Sequence, residues 1–197
     1  MIALVVVLIA GLSSCDNLLG DEEESSDTAG GTISLINGTE NDTATASDGS
    51  TYVVGYDQVS SNNQDPYVIK RNADGDQVWG YYHDQTPVDA RAVLVALDDE
   101  DRPYVAFTTD GGSNDSDRFQ RNHVVDGAFA DAPFDNYGTG GGAKVTVIAR
   151  LDPDTGRIER GTFLVARLTS NNETNSMAPQ GLDVSGTTVL LDVNSYA

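Results

Sequence analysis

Beyond residue 40 the apolar side chains alternate with polar ones or gather in short runs rich in Val, Tyr, Thr and Ile, broken at close intervals by Gly, Asn and Asp. Period-two alternation bounded by turn formers is the pattern of half-buried strands, and almost no stretch carries the 3.6-residue spacing of an amphipathic helix. The pattern predicts strands at 51–56, 67–72, 77–82, 92–97, 104–108, 145–151, 157–166 and 188–192. Asp74-Gly75 separates two apolar runs as a tight hairpin turn does, because Gly reaches positive φ without a Cβ clash. Asp152-Pro153-Asp154-Thr155-Gly156 makes a slightly longer turn, with Pro fixing φ early and Gly near its end.

These hairpins belong to a repeat. Three segments overlay one another: 41–46 followed by a turn at Asp48-Gly49 and Thr51-Tyr52-Val53-Val54-Gly55; 89–96 followed by an acidic turn and Pro103-Tyr104-Val105-Ala106; and 178–184 followed by Ser185-Gly186 and Thr187-Thr188-Val189-Leu190-Leu191. Tyr52 and Tyr104 are 52 residues apart, whereas Val189 lies 85 beyond Tyr104, and the excess falls in an insertion at 110–142. Each full unit supplies four strands. Four antiparallel strands per unit, with units stacked around an axis, is the arithmetic of a propeller blade.

Thr51-Tyr52-Val53-Val54-Gly55-Tyr56 and Asp74-Gly75-Asp76-Gln77-Val78-Trp79 resemble the bacterial β-propeller repeat, in which Val-Tyr-Val and Gly-Tyr precede an Asp-Gly turn and Val-Trp. The resemblance spans residues 41 to 197 and implies an all-β fold of antiparallel four-stranded blades. Two to three blades fit in this length, whereas a closed ring needs at least four. The expectation is therefore an incomplete β-propeller, either the N-terminal fragment of a longer protein or an assembly that pairs its edge strands with something else. The alternative is a β-sandwich whose strands happen to be evenly spaced.

The start of the chain has a different character. Ile2 to Leu12 is an unbroken run of eleven apolar or small residues, which suits the h-region of a signal peptide and falls short of the roughly 20 residues of a spanning helix. It lacks the usual leading Lys or Arg, and the competing reading is a buried strand or core helix beside an incidental thiol. Leu12-Ser13-Ser14-Cys15 resembles the lipobox of bacterial lipoproteins. That resemblance implies a signal peptide at 1–14, acylation (as with palmitate) of Cys15, and an exported protein anchored by lipid to the inner or outer membrane of the cell envelope. Asp16, directly after the cysteine, resembles an inner-membrane retention signal of some bacteria. Residues 15–39 then read as the lipidated Cys and a flexible acidic tether, since Asp, Glu, Ser and Gly dominate 16–31 and cannot offset ordering entropy by burial. The folded part is expected at 40–197, a length that suits one domain.

Charge narrows the partners. The chain holds 31 acids against 11 Lys and Arg, a net charge of −20, so it should repel nucleic acid and anionic lipid and suits a saline exterior in which charge is screened. Cys15 is the only cysteine; once it is lipidated, no disulfide or cysteine-bound metal remains.

Candidate chemistry concentrates in the insertion. Phe119, Phe129, Phe134 and Tyr137 either pin the loop to its blade or offer stacking surfaces to a sugar, and Arg118, Arg121 and His123 are the local set of base and cations. Gly138-Thr139-Gly140-Gly141-Gly142-Ala143-Lys144 fits neither phosphate motif, because Ala143 and Val145 stand where a P-loop needs Gly and Ser or Thr, and the run opens a strand rather than a helix. No Gly-x-Ser-x-Gly occurs, and His83, beside Tyr82, reads as a strand-end surface residue. Calcium is the one ion the composition suits. Asp152, Asp154 and Gly156, and also Asn72, Asp74 and Asp76, open like calcium loops but lack Glu at the twelfth position, where Phe163 and His83 stand; both read better as hairpin turns. Asp110, Asn114, Asp115 and Asp117 form the remaining candidate metal group. No other cofactor is expected. The leading reading is a non-enzymatic, membrane-anchored lipoprotein whose propeller-like module binds a protein or carbohydrate ligand. The alternative is an extracellular polysaccharide-active hydrolase or lyase with its site in the insertion or in further blades.

Overall fold

The computed structural model describes residues 3–8, 31–83, 89–110, 144–164, 166–171, 174–186 and 188–196. The described chain is all-β. Its strands are β1 (Ala3–Leu8), β2 (Gly38–Thr45), β3 (Thr51–Ser60), β4 (Asn63–Arg71), β5 (Gln77–Tyr82), β6 (Ala90–Leu97), β7 (Pro103–Asp110), β8 (Lys144–Leu151), β9 (Ile158–Leu164), β10 (Ala166–Arg167), β11 (Thr174–Asn175), β12 (Met177–Ser185) and β13 (Thr188–Ser195). They form a first sheet β2-β3-β4-β5, a second sheet β6-β7-β8-β9, a third sheet β1-β13-β12 and the short pair β10-β11, with antiparallel pairing throughout. The strand predicted at 157–166 ends at Leu164, and the repeat segments at 41–46 and 178–184 lie in β2 and β12.

All three sheets share one irregularity. The ladder between the first two strands slips by one residue between Glu40 and Asp42, between Ala92 and Leu94, and between Pro179 and Gly181. A bulge adds local twist and re-aims the side chains that follow. Aligning the units on it makes Tyr52, Tyr104 and Leu190 equivalent, because Asp42↔Val54, Leu94↔Ala106 and Gly181↔Asp192 are then matching pairs. The third unit is therefore displaced by one residue from the Val189 anchor that spacing alone selects. A further residue pair fits between its bulge and its turn, which shifts the apparent period.

The second sheet buries both of its faces. Val105, Phe107, Val147 and Ala149 meet Tyr52, Val54, Val68 and Trp79 of the first sheet. On the opposite face Tyr104, Ala106 and Ile148 meet Met177, Val184, Val189, Leu191 and Val193 of the third. This is why Tyr104 to Phe107 are buried without a break: a strand covered on both sides loses its polar alternation. Each buried Val, Ile, Leu, Met or Phe side chain among them contributes roughly 1.5–3 kcal/mol by leaving water.

The outer face of the first sheet is covered by the chain that precedes it. Ile33 and Leu35 pack on Val53, Tyr67 and Ile69, and Gly80 permits the approach, since a Cβ there would meet Ile33 at 2.5 Å. The Gly80 amide donates to the Gly31 carbonyl, and the Gln77 side-chain amide, oriented to suit, pairs with the N–H and C=O of Ile33. Residues 31–37 are thus a strap on the sheet, and packed structure starts ahead of residue 40. The two apolar residues at 33 and 35, two apart on one side of an extended segment, supply the burial that the acidic stretch lacks.

Candidate functional site

The connections divide between two ends of the stack. One end gathers the tight turns at 46–50, 72–76, 98–102 and 152–157. Gly49, Gly75 and Gly156 have positive φ there, and Asp101 adopts φ 60° in the turn that lacks a glycine. Asp and Asn side chains build these turns. Asn72 Oδ1 accepts from the Asp74 and Asp76 amides, Asp98 Oδ1 from Glu100 and Arg102, and Asp152 Oδ1 from Asp154 and from the N–H and hydroxyl of Thr155. Burial pushes the Asp152 carboxyl up, but these bonds and Lys70 outweigh it and hold the group below its ordinary value. Both calcium-loop candidates are hairpin turns in which the first side chain, Asn72 or Asp152, turns its Oδ1 to backbone N–H groups.

The same end joins the first two sheets. Trp79 Nε1 and Lys70 Nζ both donate to the Pro153 carbonyl at 3.0 Å, and Lys70 lies 5.4 Å from the centre of the Tyr52 ring. The Ser47 amide and hydroxyl donate to the two oxygens of Asp101 at 3.1 and 2.5 Å. Nearer the middle of the strands, the bulge itself is used: Asn41 Nδ2 donates to the Ala92 carbonyl, and Asp42 accepts from the Val95 amide.

The opposite end holds buried polar side chains. Asp57, fully buried, accepts from the Asn37 amide on Oδ1 and from the Ile36 amide and the Tyr82 hydroxyl on Oδ2, at 2.6, 2.8 and 2.7 Å. Burial raises its pKa, but these three bonds prevail and hold it below the ordinary value. Asp65 lies directly across the ladder from Asp57. Burial foremost, with the charge of Asp57 added, lifts its carboxyl against the opposing bond from Asn63. Two carboxyls with pKa values driven apart can divide acid and base work. Here both oxygens of Asp57 are committed to the strap and Tyr82, so Asp57 fastens residues 36 and 37 to the sheet.

Beside this latch runs a directed chain of donors. Arg91 Nε donates to Gln64 Oε1 at 2.5 Å, Gln64 Nε2 to Gln58 Oε1 at 2.7 Å, and Gln58 Nε2 to the carbonyls of Ser60 and Asn63. The Arg91 guanidinium also lies 4.7 Å from the centre of the Tyr56 ring, a cation–π distance.

The expected surface position of His83 is not what the structure shows. His83 is fully buried, with Tyr81 at 4.8 Å and Phe107 of the second sheet at 5.2 Å between ring centres. Its amide donates to the Pro66 carbonyl and so prolongs the β4–β5 ladder past Tyr82. Trp79, Tyr81 and His83 share one side of that strand by period two, a signal present in the sequence. Asp57 and Asp65 carried a similar signal, since they continue the strap-covered side of Val53 and Tyr67 and a carboxylate there needs partners.

Of the candidate metal group, Asp110 ends β7 and its amide donates to the Asp89 carbonyl, while Asn114, Asp115 and Asp117 lie outside the described residues. So do Cys15, Arg118, Phe119, Arg121, His123, Phe129, Phe134, Tyr137 and the glycine run at 138–142. Among the described residues, no three His, Cys, Asp or Glu side chains come together as a metal site. Lys144 opens β8, so the glycine run does lead into a strand. No protein-family model matches the chain, and no curated protein is significantly similar to it.

Proposed function

We propose that the chain is an exported lipoprotein, held at the cell envelope through Cys15, whose stacked four-stranded sheets form an incomplete propeller-like module that binds a ligand. The bulge shared by the three sheets supports the fold half of this reading, because the corresponding ladder slips by one residue in each unit and so favours repetition of one unit. A two-layer sandwich buries one face of each sheet, whereas the second sheet here is covered on both. The lipobox resemblance of Leu12 to Cys15 supports the anchor. On this reading residues 1–14 are removed on processing, and β1 leaves the edge of β13 in the mature protein. Replacing Cys15 with Ser tests it: the protein should move from the detergent-soluble membrane fraction to the soluble one, and unchanged fractionation would end the lipoprotein reading.

A further inference from the structure

We infer that the open side of β13 is a docking edge, to which a partner protein adds an extended, apolar and uncharged segment as an antiparallel strand. The edge opens only on the lipoprotein reading, in which residues 1–14 are removed and β1 leaves with them. β1 pairs with β13 along six residues, from Ala3↔Val193 to Leu8↔Thr188. Its loss leaves a third sheet of two strands beside two sheets of four.

β13 is built as an internal strand. Aligned on the shared bulge it matches β3 and β7, which are covered on their far sides by β4 and β8. In the three larger sheets the other edge strands, β2, β5, β6, β9 and β12, all meet their neighbours across a ladder that shifts register. Bulges are among the devices that keep a free edge from pairing. The β1–β13 ladder runs without a shift, as the internal β7–β8 ladder does. Thr188–Ser195 also lacks the Lys and Pro that guard an edge, and Asp192 is its only charged residue. A regular, unguarded edge offers its backbone N–H and C=O groups to another strand.

The strands that fill this place define the chemistry of the occupant. β4 buries Tyr67, Val68 and Ile69 there, and β8 buries Val147, Ile148 and Ala149, while β1 reads Ala-Leu-Val-Val-Val-Leu without a charge. Among the described residues every other strand is already paired in a sheet, so the segment comes from a second polypeptide. Another copy of this chain would bring a further charge of −20 and a second Asp192 to the seam, and that repulsion favours a different protein.

The test uses the processed chain extracted from membranes in detergent, whose intact mass first shows whether residues 1–14 are gone. The probe is a synthetic peptide with the sequence of Ala3–Leu8 and a lysine at each end for solubility. The same peptide N-methylated at Val5, Val6 and Val7 is the control, because it keeps the apolar side chains and loses the backbone donors. The β13 amides that β12 does not hold should exchange fast in the free chain. They should slow about tenfold with the probe at about ten times its Kd, while β3 and β4 stay unchanged and the methylated peptide has no effect. In a processed chain, β13 protected without peptide, by a second copy or otherwise, no slowing by the probe, or equal slowing by both peptides would each overturn the docking edge and leave the lipoprotein reading standing. A chain that keeps residues 1–14 would overturn both, since β1 then holds the edge.

Discussion

The first two sheets and the third share a one-residue slip in one ladder, yet they are held in different ways. The first and second each consist of four strands consecutive in sequence, and they are locked together by Trp79 and Lys70 on Pro153, Ser47 on Asp101, and Asn41 and Asp42 on β6. The third takes β1 from the far end of the chain as its outer strand and meets the second sheet through Met177, Val184, Val189, Leu191 and Val193. Directional bonds fix one arrangement, whereas aliphatic packing accepts more than one at similar cost. The first interface should therefore fail as a unit, and the second should loosen locally.

The largest effect is expected at Trp79. Trp79→Ala removes a fully buried ring packed against Tyr52 and lying over Gly156, together with its bond to Pro153, and should cost about 3–5 kcal/mol in urea unfolding. Leu191→Ala in the second interface should cost less, about 2–4 kcal/mol. It should speed amide exchange in β12 and β13 and leave β3 and β4 unchanged; uniform acceleration would erase the distinction between the interfaces.

The strap can be separated from both interfaces by pH. Asp57 is depressed in the folded state, so its contribution is complete above the ordinary aspartate value of 3.8 and is lost as pH falls through its lower folded value. Asp65 is raised, so its ionisation disfavours the folded state, and stability should grow as pH falls through that raised value toward 3.8. Urea unfolding should thus show stability rising on mild acidification and falling on strong acidification. Asp65→Asn should remove the rise, and Asp57→Asn should weaken the strap at every pH. The smallest effect concerns Asp101. Asp101→Ala loses the Ser47 bonds and keeps a left-handed residue, at about 1–2 kcal/mol, whereas Asp101→Gly relieves the backbone and should stay within about 1 kcal/mol of the parent.

Local pairing is the part of the fold that the sequence displays. Alternation and Asp-Gly turns mark β3, β4, β5, β7 and β8 because each pairs with a neighbour across a short connection, or across one insertion for β7 and β8. The strap is less legible, since Ile33 and Leu35 are two apolar residues in an acidic stretch and acquire meaning only against Val53, Tyr67 and Ile69. The third sheet is harder still, because pairing between Ala3–Leu8 and β13 is a long-range event that no local pattern announces. At the polar end, His83 and Asp57 were readable from period two once the face was known. The Arg91 chain was not, because it depends on which strands of two sheets lie side by side.

The two readings of the first residues, signal peptide and strand, make opposite statements about the finished molecule. Intact-mass analysis of the membrane-extracted protein decides between them most directly. A chain that lacks residues 1–14 and begins at an acylated Cys15 is the predicted result. A chain that retains Ala3–Leu8 and carries an unmodified Cys15 thiol would contradict the lipoprotein assignment and leave β1 in place on β13.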